Sequence, residues 1–329
     1  MGKRKSKDTD YLYASARVRA AENRLIGTDK LEAAISARGS SEIESLIDGI
    51  SVVSKGTDKL SSYLADAYSF IAEISPDENI ASFLRYGYDC NNIKAALKCH
   101  FRESDCTEML FSFGSVDVSK ILEMPVSLDF SALPAEMEKA AEEAFEAYSR
   151  TGDPQLIDII LDRACFCDML EAAKNSGDEF AVELVKTKID LINIMMCVRV
   201  LRMGNGFSER DVLLRSLIPG GYIDSRSLFD ASENEADISS LISGAGYASL
   251  SEYLTENGRC SLAEIEKRCD DLYMDRVKKT KFLPFGAPLL CAYLIAVEYE
   301  VKNLRIILAG KRAGLSPEKL RERVRVSYV

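Results

Sequence analysis

The chain has 329 residues, with 42 Lys and Arg against 52 Asp and Glu and a formal net charge of −10. This acidic balance argues against a nucleic-acid partner bound through its phosphates. The 8 prolines are about half the ordinary usage, and alternating Val, Ile and Thr runs between tight turns are scarce. The sequence therefore predicts an all-α protein, long enough for two or three domains.

The amino terminus, MGKRKS, matches a short pattern for myristoylation of Gly2, and a disordered basic tail is the alternative. Apolar periodicity and stop signals then predict a series of helices in the first third of the chain. Their predicted ranges are Tyr11 to Ile26, Asp29 to Ala37, Ser41 to Ile50, Asp58 to Ile74 and Glu78 to Lys98.

The middle of the chain continues this pattern, with glycine and proline turns between helices. The predicted helices are Pro134 to Arg150, Gln155 to Lys174, Glu179 to Met203, Ser208 to Leu217 and Leu262 to Lys281. Between Asp224 and Ser261 the sequence predicts short helices separated by Ser, Gly and Asn.

The stretch from Pro288 to Gly314 predicts the central helix of the fold. Its main apolar seam has spacings of four and three residues, as in Leu290, Leu294 and Val297. Ile295 lies away from this seam, which predicts a helix that is covered on more than one side.

An internal repeat relates three of these helices. DCNNI, DLINI and EVKNL each place an acid three residues before an asparagine, and the asparagines are Asn92, Asn193 and Asn303. A short helix is expected soon after each copy, beginning near Ser104, Ser208 and Ser316. The repeat predicts three similar helical units, residues 1–118, 119–228 and 229–329.

The repeated acid and asparagine admit two interpretations. In the structural one, the asparagine bridges helices or caps a helix end, and the acid pairs with a nearby Arg or Lys. In the functional one, the three copies line a shared face and present polar groups to one partner.

Nine cysteines without CxxC spacing and without a secretory leader predict packing residues in a reducing compartment. A metal cluster of Cys90, Cys99, Cys106 and His100 is the alternative, although it lacks zinc-site spacing. His100 is the only histidine, so the sequence predicts neither an active site nor a cofactor. The most apolar run, Leu289 to Val297, is too short to span a membrane.

Three stretches carry a resemblance to a known family. They are EYEVKNLRIILAGKRAGL, from Glu298 to Leu315, the carboxyl-terminal RERVRVSYV and the amino-terminal YASARVRAAENRL. They resemble the C subunit of the V-type and A-type rotary ATPases, the counterpart of the d subunit of the eukaryotic vacuolar ATPase. The resemblance implies three helical domains arranged as a funnel about a pseudo-threefold axis.

The resemblance also implies a function and partners. A protein of this family would be a non-catalytic socket on the membrane ring of proteolipid subunits, and it would receive the central shaft. It would be a single copy within the complex, peripheral on the cytoplasmic face of the membrane, during H⁺ or Na⁺ transport. A free helical-repeat adaptor that binds a protein or peptide in its concave face is the alternative.

Position along the repeated helices suggests polar and basic residues that contact these partners. The candidates are Arg85, Asn92, Lys94, Asn193, Arg199, Arg202, Asn303, Arg305, Lys311 and Arg312.

Overall fold

The computed structural model describes residues 8–37, 59–77, 80–203, 206–256 and 261–329. Within these ranges the secondary structure is helical and contains no β-strand, which confirms the predicted all-α class. The helix predicted from Ser41 to Ile50, the start of the one predicted from Glu78, and Gly2 lie outside the described residues.

Contacts divide the described residues into two compact units. One unit contains those within 1–80 and 260–329, and the other contains those within 81–259. The division into three units predicted from the repeat stays a prediction.

The first unit consists of six described α-helices from both ends of the chain. They are α1 (Leu12–Glu22), α2 (Thr28–Ser36), α3 (Lys59–Ile74), α13 (Leu262–Lys278), α14 (Ala287–Arg312) and α15 (Pro317–Arg321). The other five helices contact α14, and every residue from Leu289 to Val297 is buried. The prediction of a central helix covered on more than one side is confirmed.

The second unit is built from the helices between these. They are α4 (Ser82–Arg102), α5 (Val118–Ser127), α6 (Ala135–Thr151), α7 (Pro154–Ser176), α8 (Glu179–Arg202), α9 (Phe207–Ser216), α10 (Ser225–Ala231), α11 (Glu235–Gly244) and α12 (Ala248–Glu256). Helices α4, α6 and α7 enclose a core that includes Ile93, Met137 and Leu161.

Short polar residues begin many of these helices, and glycines end two of them. Asp153 and Asp178 each accept a hydrogen bond from a first-turn backbone N–H, while Ser261 and Glu264 form a capping box before α13. Gly152 and Gly177 adopt left-handed conformations at the ends of α6 and α7.

The short helix predicted to begin near Ser104 does not form as an α-helix. The structure places there only the three-residue 3₁₀ turn Thr107–Met109, followed by extended backbone at Leu110. Helix α4 itself continues to Arg102, four residues beyond its predicted end. The short helices α9 and α15 begin near Ser208 and Ser316 as predicted.

Candidate functional site

The three acid and asparagine pairs lie in the middle of α4, α8 and α14. Asp89, Asn92, Asp190 and Asn193 have no exposed surface. In the third copy, Glu300 is 3% exposed and Asn303 is 1% exposed. Burial of six polar side chains requires that each find hydrogen-bond partners inside the protein.

Each asparagine binds one backbone residue through both atoms of its amide. Asn92 Nδ2 donates to Phe111 O at 2.8 Å, and Phe111 N donates back to Asn92 Oδ1 at 2.8 Å. Asn193 binds Ile218 in the same way at 2.7 and 2.9 Å. Asn303 binds Arg325 at 3.0 and 2.8 Å. The partner residues lie 19, 25 and 22 positions after Asn92, Asn193 and Asn303, respectively. Each helix therefore binds a segment that follows it in the chain.

In the first two copies the acid binds the same downstream segment. Asp89 accepts hydrogen bonds from the backbone N–H groups of Ser115 and Val116, four and five residues after Phe111. Asp190 accepts from Tyr222 and Ile223, at the same offsets from Ile218. We call each set of acid, asparagine and bound backbone a clamp.

A hydroxyl completes the hydrogen bonding of each acid. The donors are Ser115 Oγ to Asp89, Tyr247 OH to Asp190 at 2.8 Å, and Tyr63 OH to Glu300 at 2.9 Å. The structural interpretation expected each acid to pair with an Arg or Lys. Among the described residues, these acids instead accept hydrogen bonds from backbone N–H groups and hydroxyls.

A glycine allows the backbone to approach the acid in the first two clamps. A Cβ on Gly114 would overlap Asp89 Oδ1 and lie 3.2 Å from Asp89 Cγ. A Cβ on Gly221 would overlap Asp190 Oδ1 and lie 3.1 Å from Asp190 Cγ. Both glycines stand three residues after the asparagine's partner, so the first two clamps share one geometry.

The clamped segment then starts a new helix. Asp117 caps α5 by accepting from Ser119 N at 2.8 Å, and Asp224 caps α10 by accepting from Ser227 N at 2.9 Å. The sequence signal for this arrangement is GSVD at 114–117 and GYID at 221–224. Sequence reasoning missed this second repeat, which marks the partner segment of each acid.

The third copy keeps the asparagine and changes the partner of the acid. Its downstream segment has Tyr328 where the other two have glycine, and Glu300 instead accepts from Ile26 N. Ser327 Oγ donates to Ile26 O at 2.8 Å, so both backbone groups of Ile26 are bound. The third clamp therefore joins the two ends of the chain within the first unit.

Burial raises the pKa of all three acids above its ordinary range. Hydrogen bonds from the partner groups oppose the shift at Asp89 and Asp190, which each have three donors. Glu300 has two donors, from Tyr63 and Ile26, and burial raises its pKa to about 7.

Five of the basic candidate residues bind groups of their own unit. Arg85 donates to Phe113 O and Gly114 O at 3.3 Å, beside the first clamp. Lys94 pairs with Asp162 at 2.7 Å, and Arg202 pairs with Glu235 at 3.3 Å. Arg305 donates to Ser61 Oγ at 2.9 Å, and Lys311 donates to Ile35 O at 2.8 Å and to Ala37 O.

The remaining two basic candidates, Arg199 and Arg312, are exposed. A partner role for any of the ten candidates stays a prediction. The three asparagines are enclosed by the clamps, so the structure brings them into equivalent positions on their helices and not onto exposed surface.

Comparison with known proteins supplies the family. Residues 14–323 match the sequence pattern of the family described as "ATP synthase (C/AC39) subunit". The chain belongs to this family. The match includes all three acid and asparagine pairs and both clamp glycines, and it ends just before Arg325.

Named relatives agree with this membership. The chain is 27% identical to the C subunit of the A-type ATP synthase of Methanobrevibacter smithii, over 95% of this chain and 87% of the relative. It is 25% identical to the protein of the same name from Methanocaldococcus jannaschii, over 94% and 85%. It is 24% identical to the C subunit of the V-type sodium ATPase of Enterococcus hirae, over 82% and 81%.

Membrane-spanning helices, metal sites and reactive side chains were the other features to consider beside this family. In the described part of the chain, no helix is long and apolar enough to cross a membrane, and no three His, Cys, Asp or Glu residues form a group that could hold a metal ion. His100 is exposed near the end of α4, where its ring contacts Phe101 and Phe145. Cys90, Cys165 and Cys197 are buried among apolar helices.

Proposed function

We propose that this chain is the central-stalk socket of a rotary V-type or A-type ATPase. It couples the rotating shaft to the membrane proteolipid ring while ATP hydrolysis or synthesis is linked to H⁺ or Na⁺ transport. It has no active site of its own in this proposal and requires no cofactor.

The family match over residues 14–323 carries the proposal, because relatives over nearly the whole chain are named as the C subunit of such complexes. The clamps add a physical reason. A coupling element must transmit torque without local unfolding, and segments that cross between helices are the parts that open most easily. Paired hydrogen bonds from buried side chains fix these segments to three long helices, α4, α8 and α14.

The proposal includes the arrangement and the contacts of the chain. Three helical units form a funnel, and a single copy lies on the cytoplasmic face of the membrane without inserting into lipid. Exposed Arg199 and Arg312 are the first candidates for contact with the shaft or the ring, because their guanidinium groups are available for carboxylates of a partner.

Co-purification tests this function. Tagged chain expressed in its own host is isolated in mild detergent, and the bound proteins are identified by mass spectrometry. We expect shaft subunits and the proteolipid ring in fixed ratio to the chain. Isolation of the chain with peptides or unrelated proteins only, and never with the ring, would contradict the proposal and favour a free adaptor.

A further inference from the structure

The loop between α13 and α14 presents an apolar side chain to solvent. Among the large apolar side chains of the described residues, Phe282 has the greatest exposure, at 89%. Leu283 beside it is 39% exposed, and Pro284 is also exposed. Complete burial of a phenylalanine side chain stabilises a protein or complex by about 2 kcal/mol relative to exposure. An exposed phenylalanine followed by leucine and proline therefore indicates a surface that a partner covers.

Arg19 on α1 holds the backbone of this loop. Its Nη2 atom donates to Thr280 O at 3.0 Å, to Lys281 O at 3.3 Å and to Leu283 O at 2.8 Å. The guanidinium is itself oriented by Glu22, whose carboxylate lies 2.8 Å from Arg19 Nη1. Three carbonyl groups around Phe282 thus share one fixed donor.

Side-chain contacts fix both ends of the same loop. Thr280 is fully buried, and its Oγ1 donates to Val277 O at 2.8 Å and lies 3.1 Å from Tyr328 OH. At the other end, Gly286 N donates to Ser15 Oγ at 3.0 Å. The loop is therefore preorganised around an outward-facing phenylalanine, and little conformational entropy is lost when a partner binds it.

The surroundings of Phe282 are basic. Lys279 and Lys281 are exposed, and Lys281 Nζ lies 4.9 Å above the Tyr328 ring. Burial first, and then the charge of Lys281, lower the pKa of Lys278, while the charges of Asp275 and Asp271 oppose this shift. A partner that covers this loop must supply an apolar pocket and negative charge.

A protein partner fits these features better than a lipid surface. One phenylalanine and two exposed lysines provide weak membrane attachment, and the chain as a whole carries a charge of −10 that anionic lipid repels. A rigid loop with one central aromatic side chain is instead typical of a docking hot spot, which fits a shaped protein pocket.

We propose that Phe282 inserts into an apolar pocket edged by carboxylates on a neighbouring subunit of the same rotary ATPase. This inference rests on the proposed function and adds to it the residue that anchors one interface. Lys279 and Lys281 face the carboxylates, and Leu283 packs at the edge of the pocket.

Photo-crosslinking in the assembled complex tests the contact. Benzoylphenylalanine replaces Phe282 in the full chain, and the purified complex is irradiated and analysed by mass spectrometry. We expect one crosslinked subunit, attached close to Asp or Glu residues. Met109, which is 64% exposed, is the matched position, and benzoylphenylalanine there should not give this product. Crosslinks to lipid only, or none from position 282, would overturn the inference.

Rebinding of the chain to complexes stripped of it measures the strength of the anchor. We expect Phe282→Ala to weaken rebinding about thirty-fold, and Met109→Ala to change it less than about threefold. Both side chains are largely exposed, so both variants should fold as the wild type. Charge reversal in Lys281→Glu should also weaken rebinding.

The wild-type chain separates two kinds of failure. If the wild type never rebinds, the proposed function fails, and this inference fails with it. If the wild type rebinds and Phe282→Ala binds equally well, only the anchor is wrong.

Discussion

The first two clamps and the third use the same asparagine geometry and differ in the acid. Asp89 and Asp190 bind the segment that their own asparagine binds, close to a glycine. Glu300 has a side chain longer by one methylene and binds Ile26, 274 residues away in sequence. In each copy the asparagine binds the segment that follows its helix. The acid binds that same segment in the first two copies and a distant one in the third.

The most damaging change we expect is removal of a clamp asparagine. Asn92→Ala leaves the backbone N–H and C=O of Phe111 without their partner, at a cost of about 3 kcal/mol. Asn91 is exposed on the same helix, and Asn91→Ala should change stability by less than about 0.5 kcal/mol. Urea titration followed by circular dichroism measures both. Equal stability of the two variants would show that the clamp contributes nothing.

Glu300 of the third clamp makes the stability of the protein depend on pH. Folding raises the pKa of Glu300 from 4.5 to about 7, so the folded state binds its proton more tightly. Stability from this group is fully present below pH 4.5 and is lost as pH rises through 7, by at most about 3 kcal/mol.

Glu300→Gln should remove the part of the pH dependence that comes from Glu300. The amide oxygen can accept from Ile26 N, and Nε2 can donate to the Tyr63 hydroxyl, so the neutral side chain keeps both contacts. Glu142→Gln, at an exposed position of α6, is the control for loss of one carboxylate. The free energy of unfolding is measured by urea titration between pH 5 and 8. An unchanged slope in Glu300→Gln would contradict the assignment.

Close approach of glycine to the acid is expected to be specific to the first two clamps. Gly114→Ala should destabilise the protein by about 2 kcal/mol, because the new methyl group displaces the Asp89 carboxylate. Gly87 is helical, and a Cβ there would meet nothing within 4 Å, so Gly87→Ala should stabilise by about 0.5 to 1 kcal/mol. Thermal unfolding of the pair should show shifts of opposite sign. Shifts of the same sign would mean that glycine is not required.

Tyr328 occupies the glycine position in the third copy and has a smaller expected effect. Its hydroxyl lies 3.1 Å from Thr280 Oγ1 and donates to Glu22 Oε1 at 3.1 Å. Tyr328→Phe should cost about 1 kcal/mol, since the ring stays packed and only the hydroxyl is lost. Thermal unfolding measures this loss. A larger loss of stability in Tyr328→Phe than in Asn92→Ala would contradict this ranking.

The regularly repeated features of this fold could be predicted from the sequence. Apolar residues three and four positions apart predicted α14 and its burial. The recurrence of an acid and an asparagine predicted equivalent helices. The partners were harder to predict. Phe111 and Ile218 lie in irregular segments, and backbone groups there carry no residue-specific signal. The GSVD and GYID strings could have identified these segments, because a glycine before a capping aspartate recurs in both.

Contacts between distant parts of the chain were beyond sequence reasoning. Nothing in the composition around Ile26 or Tyr63 indicates that both donate to Glu300, because a buried carboxylate can accept from any donor that the fold brings near. The partner of Lys94 was equally hidden, because the structure pairs it with Asp162 on the adjacent helix α7. Its contact with a partner subunit stays a prediction.

Under the proposed function, the chain couples shaft rotation to ion movement. The most direct test compares ATP-driven ion transport with ATP hydrolysis in reconstituted complexes, with and without the chain. We expect that complexes without the chain hydrolyse ATP and transport no ions, and that added wild-type chain restores transport. Equal transport per ATP in both preparations would contradict it.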